Sequence, residues 1–358
     1  MAARFTMGCS SWEPLNRYSS ILMISCLLLI PSNPAWADRG SVSPWPVKLS
    51  EDSQKAIILH NFKEEVLILG TELKADKETE VLEFIPFPSE PKVSLVKDNP
   101  FKEIQKLIKK KKLEFEEIAI TKGGGSETVP VEIKLSEMIG IHDVTVIRIN
   151  DINGFSKWVE DFFKNKGIEV KTNPDNFYKN ANDYIKRGFN YFVFDYVSIK
   201  KEKRFIEPLI YRFQSNKLYY PLKTSNIVGG RGVIDLILLL PSSIIGSGDT
   251  YHTIGKSIVK NIGETRVDLS SSSKVYPEEI EKIYAGAGDF VKNNRIIYMQ
   301  VLRYAGEYDF NNDLLYDLSN LRPYAYKIVD DLGRYEDNLT LDELKDYLDY
   351  LKENKVIK

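Results

Sequence analysis

Three histidines are the first residues to consider for catalysis, because an imidazole can act as a base or bind a metal near neutral pH. His60, His142 and His252 lie far apart in the chain, and no two of them have the short spacing of a zinc motif. A zinc site made from all three would need the fold to bring them together. We therefore interpret them as structural and predict no metal site. The alternative is a hydrolase, metal-assisted or not, that uses these histidines with nearby carboxylates.

A serine nucleophile would need the pattern Gly-x-Ser-x-Gly at a strand-to-helix elbow. Gly246-Ser247-Gly248 lacks that spacing, although Asp249 and His252 follow closely. The chain has many carboxylates, but no spacing singles out an acid and base pair for glycosidic chemistry. We therefore predict no catalytic residue.

One segment has the alternating oxygen ligands that begin a calcium loop. It reads Asp309-x-Asn311-x-Asp313, but Leu314 and Asn320 stand where an EF-hand needs Gly and Glu. Helix capping by Asp313 is the favoured interpretation.

Phosphate and nucleic-acid binding are also not indicated. Gly123-Gly124-Gly125-Ser126 lacks the lysine and the glycine spacing of a phosphate cradle. The basic run Lys109 to Lys112 suits the end of a helix, where cations complement the helix dipole. The net charge is -2 and the pI is about 6.1, so no global field gathers nucleic acid. We predict no cofactor and no nucleic-acid partner.

The first 37 residues have the pattern of a secretion signal. Arg4 and Arg17 precede an apolar run from Ile21 to Ile30, and Ala35-Trp36-Ala37 fits a cleavage site, which places the mature start at Asp38. The run is shorter than the about 20 residues that span a bilayer. An extracytoplasmic location therefore follows, with no integral membrane span in the mature chain. The alternatives are an uncleaved anchor or a buried helix.

The only two cysteines lie inside this first segment. They are Cys9 and Cys26. A chain cleaved after Ala37 would contain no cysteine, and disulfides, thiolate catalysis and cysteine metal sites are then excluded together.

Apolar patterns predict the elements that would position any site. Short apolar runs between residues 54 and 96 predict antiparallel strands, and the proline-rich ribbon from Phe84 to Pro91 predicts an edge strand or an extended excursion. The strand from Val144 to Ile149, two helices and the strand from Tyr191 to Val197 form a central unit. The helices are predicted from two apolar stripes: Phe155, Trp158, Val159, Phe162 and Phe163; and Phe177, Tyr178, Ala181, Tyr184 and Ile185.

The remainder of the chain predicts a strand, a loop and a more helical region. Val233 to Leu240 is nearly continuously apolar and predicts a strand covered on both faces, with Asp235 as an edge or capping residue. Further predictions are a loop over 246–273, a helix over 277–293, a strand over 296–302, a mainly helical stretch over 314–332 and a capped final helix from residue 340.

These patterns predict an α+β fold: a mainly antiparallel sheet, a central strand-helix-helix-strand unit and a more helical C-terminal region. We assign residues 1–37 to a signal peptide, 38–242 to one α+β domain and 243–358 to a mixed, mainly helical extension packed on it.

The order of these pieces resembles the DUF2330 family, secreted or envelope proteins of bacteria and archaea with no assigned activity. The resemblance rests on the proline-punctuated strand from Phe84 to Val93, the segment from Asp143 to Gly167, and three motifs. The motifs are Tyr184-Ile185-Lys186-Arg187-Gly188-Phe189-Asn190-Tyr191-Phe192-Val193, Glu207-Pro208-Leu209-Ile210-Tyr211-Arg212-Phe213 and Tyr220-Pro221-Leu222.

The resemblance and the signal together predict an extracytoplasmic protein with a non-enzymatic binding or structural role. Its partner would be an envelope component or a small ligand. The alternative is an extracytoplasmic hydrolase.

Overall fold

A computed structural model describes residues 40–50, 53–96, 98–118, 126–130, 138–139, 142–201, 204–227, 229–244, 266–291 and 297–318, with residues 349 and 352. All of these belong to the unit Pro34–Lys358.

The described residues are organised mainly as strands. The strands are β1 (Gly40–Val42), β2 (Leu49–Ser50), β3 (Ser53–His60), β4 (Glu64–Ala75), β5 (Thr79–Phe87), β6 (Lys92–Leu95), β7 (Glu114–Ile118), β8 (Ser126–Pro130), β9 (Met138–Ile139), β10 (Asp143–Arg148), β11 (Tyr191–Ile199), β12 (Arg204–Ile206), β13 (Leu209–Gln214), β14 (Lys217–Tyr220), β15 (Arg231–Leu240), β16 (Arg266–Leu269), β17 (Ser273–Val275), β18 (Ile297–Glu307) and β19 (Leu314–Asp317). The helices are α1 (Pro100–Lys111), α2 (Ile152–Asn165), α3 (Asp175–Lys186), α4 (Pro277–Ile280) and α5 (Ala287–Phe290), with a 3-10 helix at Leu222–Ile227. None of the described helices has the length and apolar character needed to cross a membrane.

A small antiparallel sheet has the strand order β1-β5-β11-β10. Helices α2 and α3 connect β10 to β11 and pack on one face of this sheet, where Phe155 and Phe177 lie 5.4 and 4.9 Å from the ring of Phe84. Side chains alternate between the two faces of a strand, so Phe87 points to the opposite face. There it contacts Tyr211 at 5.2 Å, on β13 of a second sheet.

The second, larger sheet has the order β16-β18-β15-β3-β4-β12-β9, with β13 beside β4. Strand β15 lies inside it, parallel to β3 and antiparallel to β18. Leu236 and Leu238 belong to the core shared with the small sheet, whereas Ile237 and Leu239 pack with α1, α4 and α5. The strand is therefore covered on both faces, as its nearly continuous apolar sequence predicts.

The proline-rich ribbon from Phe84 to Pro91 does not begin at the sheet edge where it was predicted. Phe84, Ile85 and Phe87 are buried, and Phe84 pairs with β1 on one side and β11 on the other, so the predicted edge position is wrong here. The pairing with β1 ends at Phe84. Pro86 lies beyond it, opposite Phe192 on β11. Among the described residues, no strand pairs with β5 at Pro86 on the β1 side, and a missing N–H is tolerated at such a position.

Asp235 is neither an edge nor a capping residue. It lies inside β15, directly opposite Arg303 on β18, and accepts two hydrogen bonds from the Arg303 guanidinium, at 2.6 and 3.0 Å. A carboxylate inside a nearly apolar strand is tolerated because this bidentate pair compensates its charge.

The chain after residue 242 contains more pairing than its local pattern predicts. Arg266–Leu269 is a strand paired with β18, within the predicted loop, and Leu314–Asp317 is a strand paired with β14, within the predicted helical stretch. Two short helices replace the predicted long one, with Gly286 between them at φ 93°, a conformation that favours glycine.

The structure describes only part of the region after residue 242, so it tests only some of the predictions made there. Among the described residues after 242, more lie in strands than in helices, and the predicted final helix falls outside the described residues apart from Asp349 and Lys352. The predicted boundary at residue 242 falls between β15 and β18, which pair along β15. The division into two domains stays a prediction.

Candidate functional site

The structure places two of the three histidines, at separate positions. His60 ends β3 of the large sheet, His142 immediately precedes β10 at the margin of the small sheet, and His252 lies outside the described residues. Within the described part of the chain, no group of three or more His, Cys, Asp or Glu side chains is arranged to hold a metal ion.

His142 is held through both ring nitrogens. Nδ1 lies 2.6 Å from Oδ2 of Asp195, and Nε2 lies 2.8 Å from the carbonyl oxygen of Glu207. A carbonyl oxygen can only accept, so Nε2 carries a hydrogen and donates it. The side chains of His142 and Asp195 are each 2% exposed, so solvent has almost no access to the pair.

Asp195 belongs to a row of polar side chains that crosses the small sheet. Glu83 on β5 is its direct neighbour on the adjacent strand, and Ser41 on β1 is the neighbour of Glu83, to which its hydroxyl donates a 3.4 Å hydrogen bond. We call Ser41, Glu83, Asp195 and His142 the carboxylate-histidine row. Buried polar groups need hydrogen-bond partners, and His142 supplies one to Asp195.

A second buried pair lies at the hairpin between β3 and β4. His60 faces Glu65 across the two strands, and both are fully buried. Nδ1 of His60 accepts a 2.8 Å hydrogen bond from the amide of Phe62, and Oε2 of Glu65 accepts one of 2.8 Å from the amide of Tyr219. Within the part of the chain that the structure describes, neither Nε2 of His60 nor Oε1 of Glu65 has a hydrogen-bond partner.

Burial moves the ionisation of this pair in opposite directions. It lowers the pKa of His60 to about 4, with a smaller raising effect from the backbone near Lys217. It raises the pKa of Glu65 well above the usual value, and the hydrogen bond from Tyr219 only partly opposes this. Both shifts favour the neutral forms, as expected where low polarity penalises charge.

Asp313, from the calcium-like motif, is used inside the protein. Its carboxylate accepts hydrogen bonds from the Tyr184 hydroxyl at 2.6 Å, from Nη1 of Arg187 at 2.8 Å and from the Lys223 amide at 2.9 Å. The residue precedes strand β19, so the predicted helix capping is wrong. Burial raises the pKa of Asp313, while Arg187 and these donors act in the opposite direction.

The sequence predicts no catalytic residue, and it does not identify the carboxylates that contact the buried histidines. One signal in the sequence points to them: an acidic residue inside an apolar strand, as with Asp195 in Phe192-Val193-Phe194-Asp195-Tyr196-Val197 or Glu83 between Leu82 and Phe84. Such a carboxylate must find a partner when the strand is buried.

Comparisons with known proteins give one family and weak structural likenesses. No curated protein matches the chain. The crystal structure of baculovirus P35 has 9% sequence identity, covers 73% of this chain and 98% of its own, and has a TM-score of 0.38. The P35 chain of the caspase-8/P35 complex has 8% identity, covers 71% and 96%, and has a TM-score of 0.32. Likenesses at these scores carry no argument about fold or function.

The family model described as "Uncharacterized protein conserved in bacteria (DUF2330)" matches residues 39–310, which continues well past the strand β15. The chain belongs to the DUF2330 family.

Proposed function

We propose that the protein is an extracytoplasmic, secreted or cell-envelope protein with a non-enzymatic binding or structural role. The observation that carries the role is the internal use of His142. Both of its ring nitrogens are engaged with groups of the protein, and its side chain is almost completely buried. A general base must reach a proton on the substrate, directly or through one water.

The hydrolase alternative would start from the same residues. A histidine oriented by a carboxylate is part of a catalytic triad, and the 2.6 Å distance between His142 and Asp195 fits that requirement. In a triad, however, the second ring nitrogen faces the nucleophile. Here that nitrogen donates to the carbonyl oxygen of Glu207, which favours the structural role.

The role is tested by comparing three variants for hydrolysis of ester, peptide and glycoside probes. His60→Asn, His142→Phe and His252→Ala each remove one histidine. We expect no turnover above background in the wild type or any variant. Turnover by the wild type that disappears in one variant, with that variant's melting temperature unchanged, would support the hydrolase instead.

The location rests on the signal-like pattern of residues 1–37. The full chain, expressed in a bacterial host, should leave the cytoplasm and begin at Asp38 in N-terminal sequencing. Ala37→Arg should block cleavage, because a small residue is required at that position. A full-length chain that stays in the cytoplasm would contradict the proposal.

A further inference from the structure

Strand β10 ends the small sheet and remains accessible along its length. It pairs with β11 through all of its residues, and within the described ranges β11 is its only strand neighbour. No residue of β10 is buried, and Val146 is 39% exposed. Among the described strands, β10 is therefore an edge strand of the small sheet.

The hydrogen-bonding pattern shows which backbone groups of β10 face outward. The amide of Ile149, next to the end of β10, donates a 2.7 Å hydrogen bond to the carbonyl of Asn190. Backbone groups alternate in direction along a strand, so those of Thr145 and Ile147 also face β11. The backbone groups of Val144, Val146 and Arg148 then face away from the sheet.

This edge has few of the features that usually prevent strand addition, and its two charged side chains, Asp143 and Arg148, stand only at its ends. The sequence Asp143-Val144-Thr145-Val146-Ile147-Arg148 contains no proline, no glycine and no lysine, and its register with β11 has no bulge. An edge of β-branched residues with free backbone groups is a template for another strand.

We propose that β10 pairs antiparallel with β10 of a second copy of this chain, about a two-fold axis through Thr145. The segment Val144-Thr145-Val146 reads the same in both directions. In this register Val144 lies opposite Val146 of the partner subunit, and Thr145 lies opposite Thr145 of the partner subunit. Pairs of β-branched residues and of threonines are favourable neighbours across strands.

The same register allows backbone hydrogen bonds between the two strands and keeps like charges apart. Val144 and Val146 both present outward backbone groups, so their facing positions can exchange hydrogen bonds. Asp143 falls opposite Ile147 of the partner subunit, so the two Asp143 side chains do not meet.

The flanking surface can extend this contact beyond the strands. Trp158 of α2 is partly exposed and lies 4.0 Å from the ring of Phe194, which is the neighbour of Thr145 on β11. Stable interfaces bury more than about 1,000 Å² in total, so α2 should contribute in addition to the strand edge.

The first test measures dimerisation by sedimentation at increasing protein concentration. We expect a concentration-dependent dimer, and Val146→Lys should weaken it about tenfold or more by placing a charge in the centre of the contact. Leu95→Lys is the matched control, because Leu95 is 61% exposed on another edge strand, β6, and should leave the dimer unchanged. A monomer at all concentrations would overturn the proposal, and so would equal dimers in the wild type and both variants.

The second test reads the register. Thr145→Cys is made in a full chain that also carries Cys9→Ser and Cys26→Ser, so that it has a single cysteine. Facing residues that do not exchange hydrogen bonds lie about 4.5 Å apart at Cα, within reach of a disulfide. Mild oxidation should cross-link this variant, whereas Ile147→Cys in the same background should stay uncross-linked. No cross-link for Thr145→Cys in a dimeric sample would overturn this register.

Discussion

The hydroxyl of Tyr184 donates a 2.6 Å hydrogen bond to the carboxylate of Asp313, which ties helix α3 to the segment before β19. Both residues are buried, and Asp313 also accepts a hydrogen bond from Arg187, the residue that follows α3. This joins an element of the small sheet's helical layer to a segment more than a hundred residues later.

Removing that hydroxyl should destabilise the protein without changing its fold. We expect Tyr184→Phe to lower the free energy of unfolding by about 1 to 3 kcal/mol, because a buried hydrogen bond to a charged group is lost. Urea unfolding measures the change. Tyr178→Phe is the control, since Tyr178 lies half-buried on the same helix, and it should cost clearly less. Equal losses in the two variants would contradict the importance of the bond to Asp313.

Loss of the contact between His142 and Asp195 should lower the free energy of unfolding more than loss of the contact between Tyr184 and Asp313. We expect His142→Phe to cost about 3 kcal/mol or more, since it leaves a buried carboxylate with one partner fewer beside Glu83. Asp195→Asn added to His142→Phe should recover part of the loss, because it removes the charge. A double-mutant cycle from chemical denaturation gives the coupling energy. A coupling near zero would show that the pair is unimportant to stability.

Acid should destabilise the hairpin between β3 and β4 through His60. Its pKa is lowered to about 4 in the folded protein, so the unfolded chain binds more protons between about pH 6.5 and pH 4, and stability falls as the pH falls through that window. The full effect corresponds to about 3 kcal/mol.

His60→Asn isolates this contribution. Its side-chain oxygen can still accept from the amide of Phe62, but it does not titrate. The difference in unfolding free energy between wild type and variant should shrink or change sign as the pH is lowered through the window. A difference that is constant with pH would refute the assignment to His60.

Glu65 should show the opposite dependence. Its pKa is raised in the folded protein, so its contribution to stability is present below the unfolded value and is lost as the pH rises through the folded value. Glu65→Gln keeps an acceptor for the Tyr219 amide and removes the buried charge. We expect it to gain stability relative to wild type as the pH rises above the unfolded value of about 4.5, because the wild type must then either bury a charge or hold a proton. A difference between Glu65→Gln and wild type that stays constant with pH would contradict the raised pKa, and Glu64→Gln on the partly exposed neighbour is the matched substitution.

Local sequence patterns predict where helices and strands occur better than they predict which elements pair with one another. The apolar stripe of Phe155, Val159 and Phe163 indicates a helix by spacing alone, and α2 buries these three residues. Arg266–Leu269 has no comparable pattern in a segment rich in glycine and serine, and it is a strand because β18 offers it a partner. Pairing of that kind depends on residues far away in the chain, which local periodicity does not encode.

The candidate site could be predicted only in part, because its contacts also join residues that are distant in the sequence. The sequence shows three dispersed histidines and several carboxylates inside apolar runs. It does not show that His142 meets Asp195 or that Asp313 meets Tyr184, since each contact requires the sheets and helices to be assembled first.

The parallel pairing of β3 with β15 has a consequence for how the protein folds. Ile57 lies beside Ile237, about half the chain length away, so one side of β3 stays uncovered until the chain has been made through β15. Non-local contacts of this kind slow folding, because the long intervening loop must close before they form. A nascent or truncated chain that stops before Arg231 would expose the apolar strand Ala56-Ile57-Ile58-Leu59, and its expected fate is aggregation instead of a smaller folded domain.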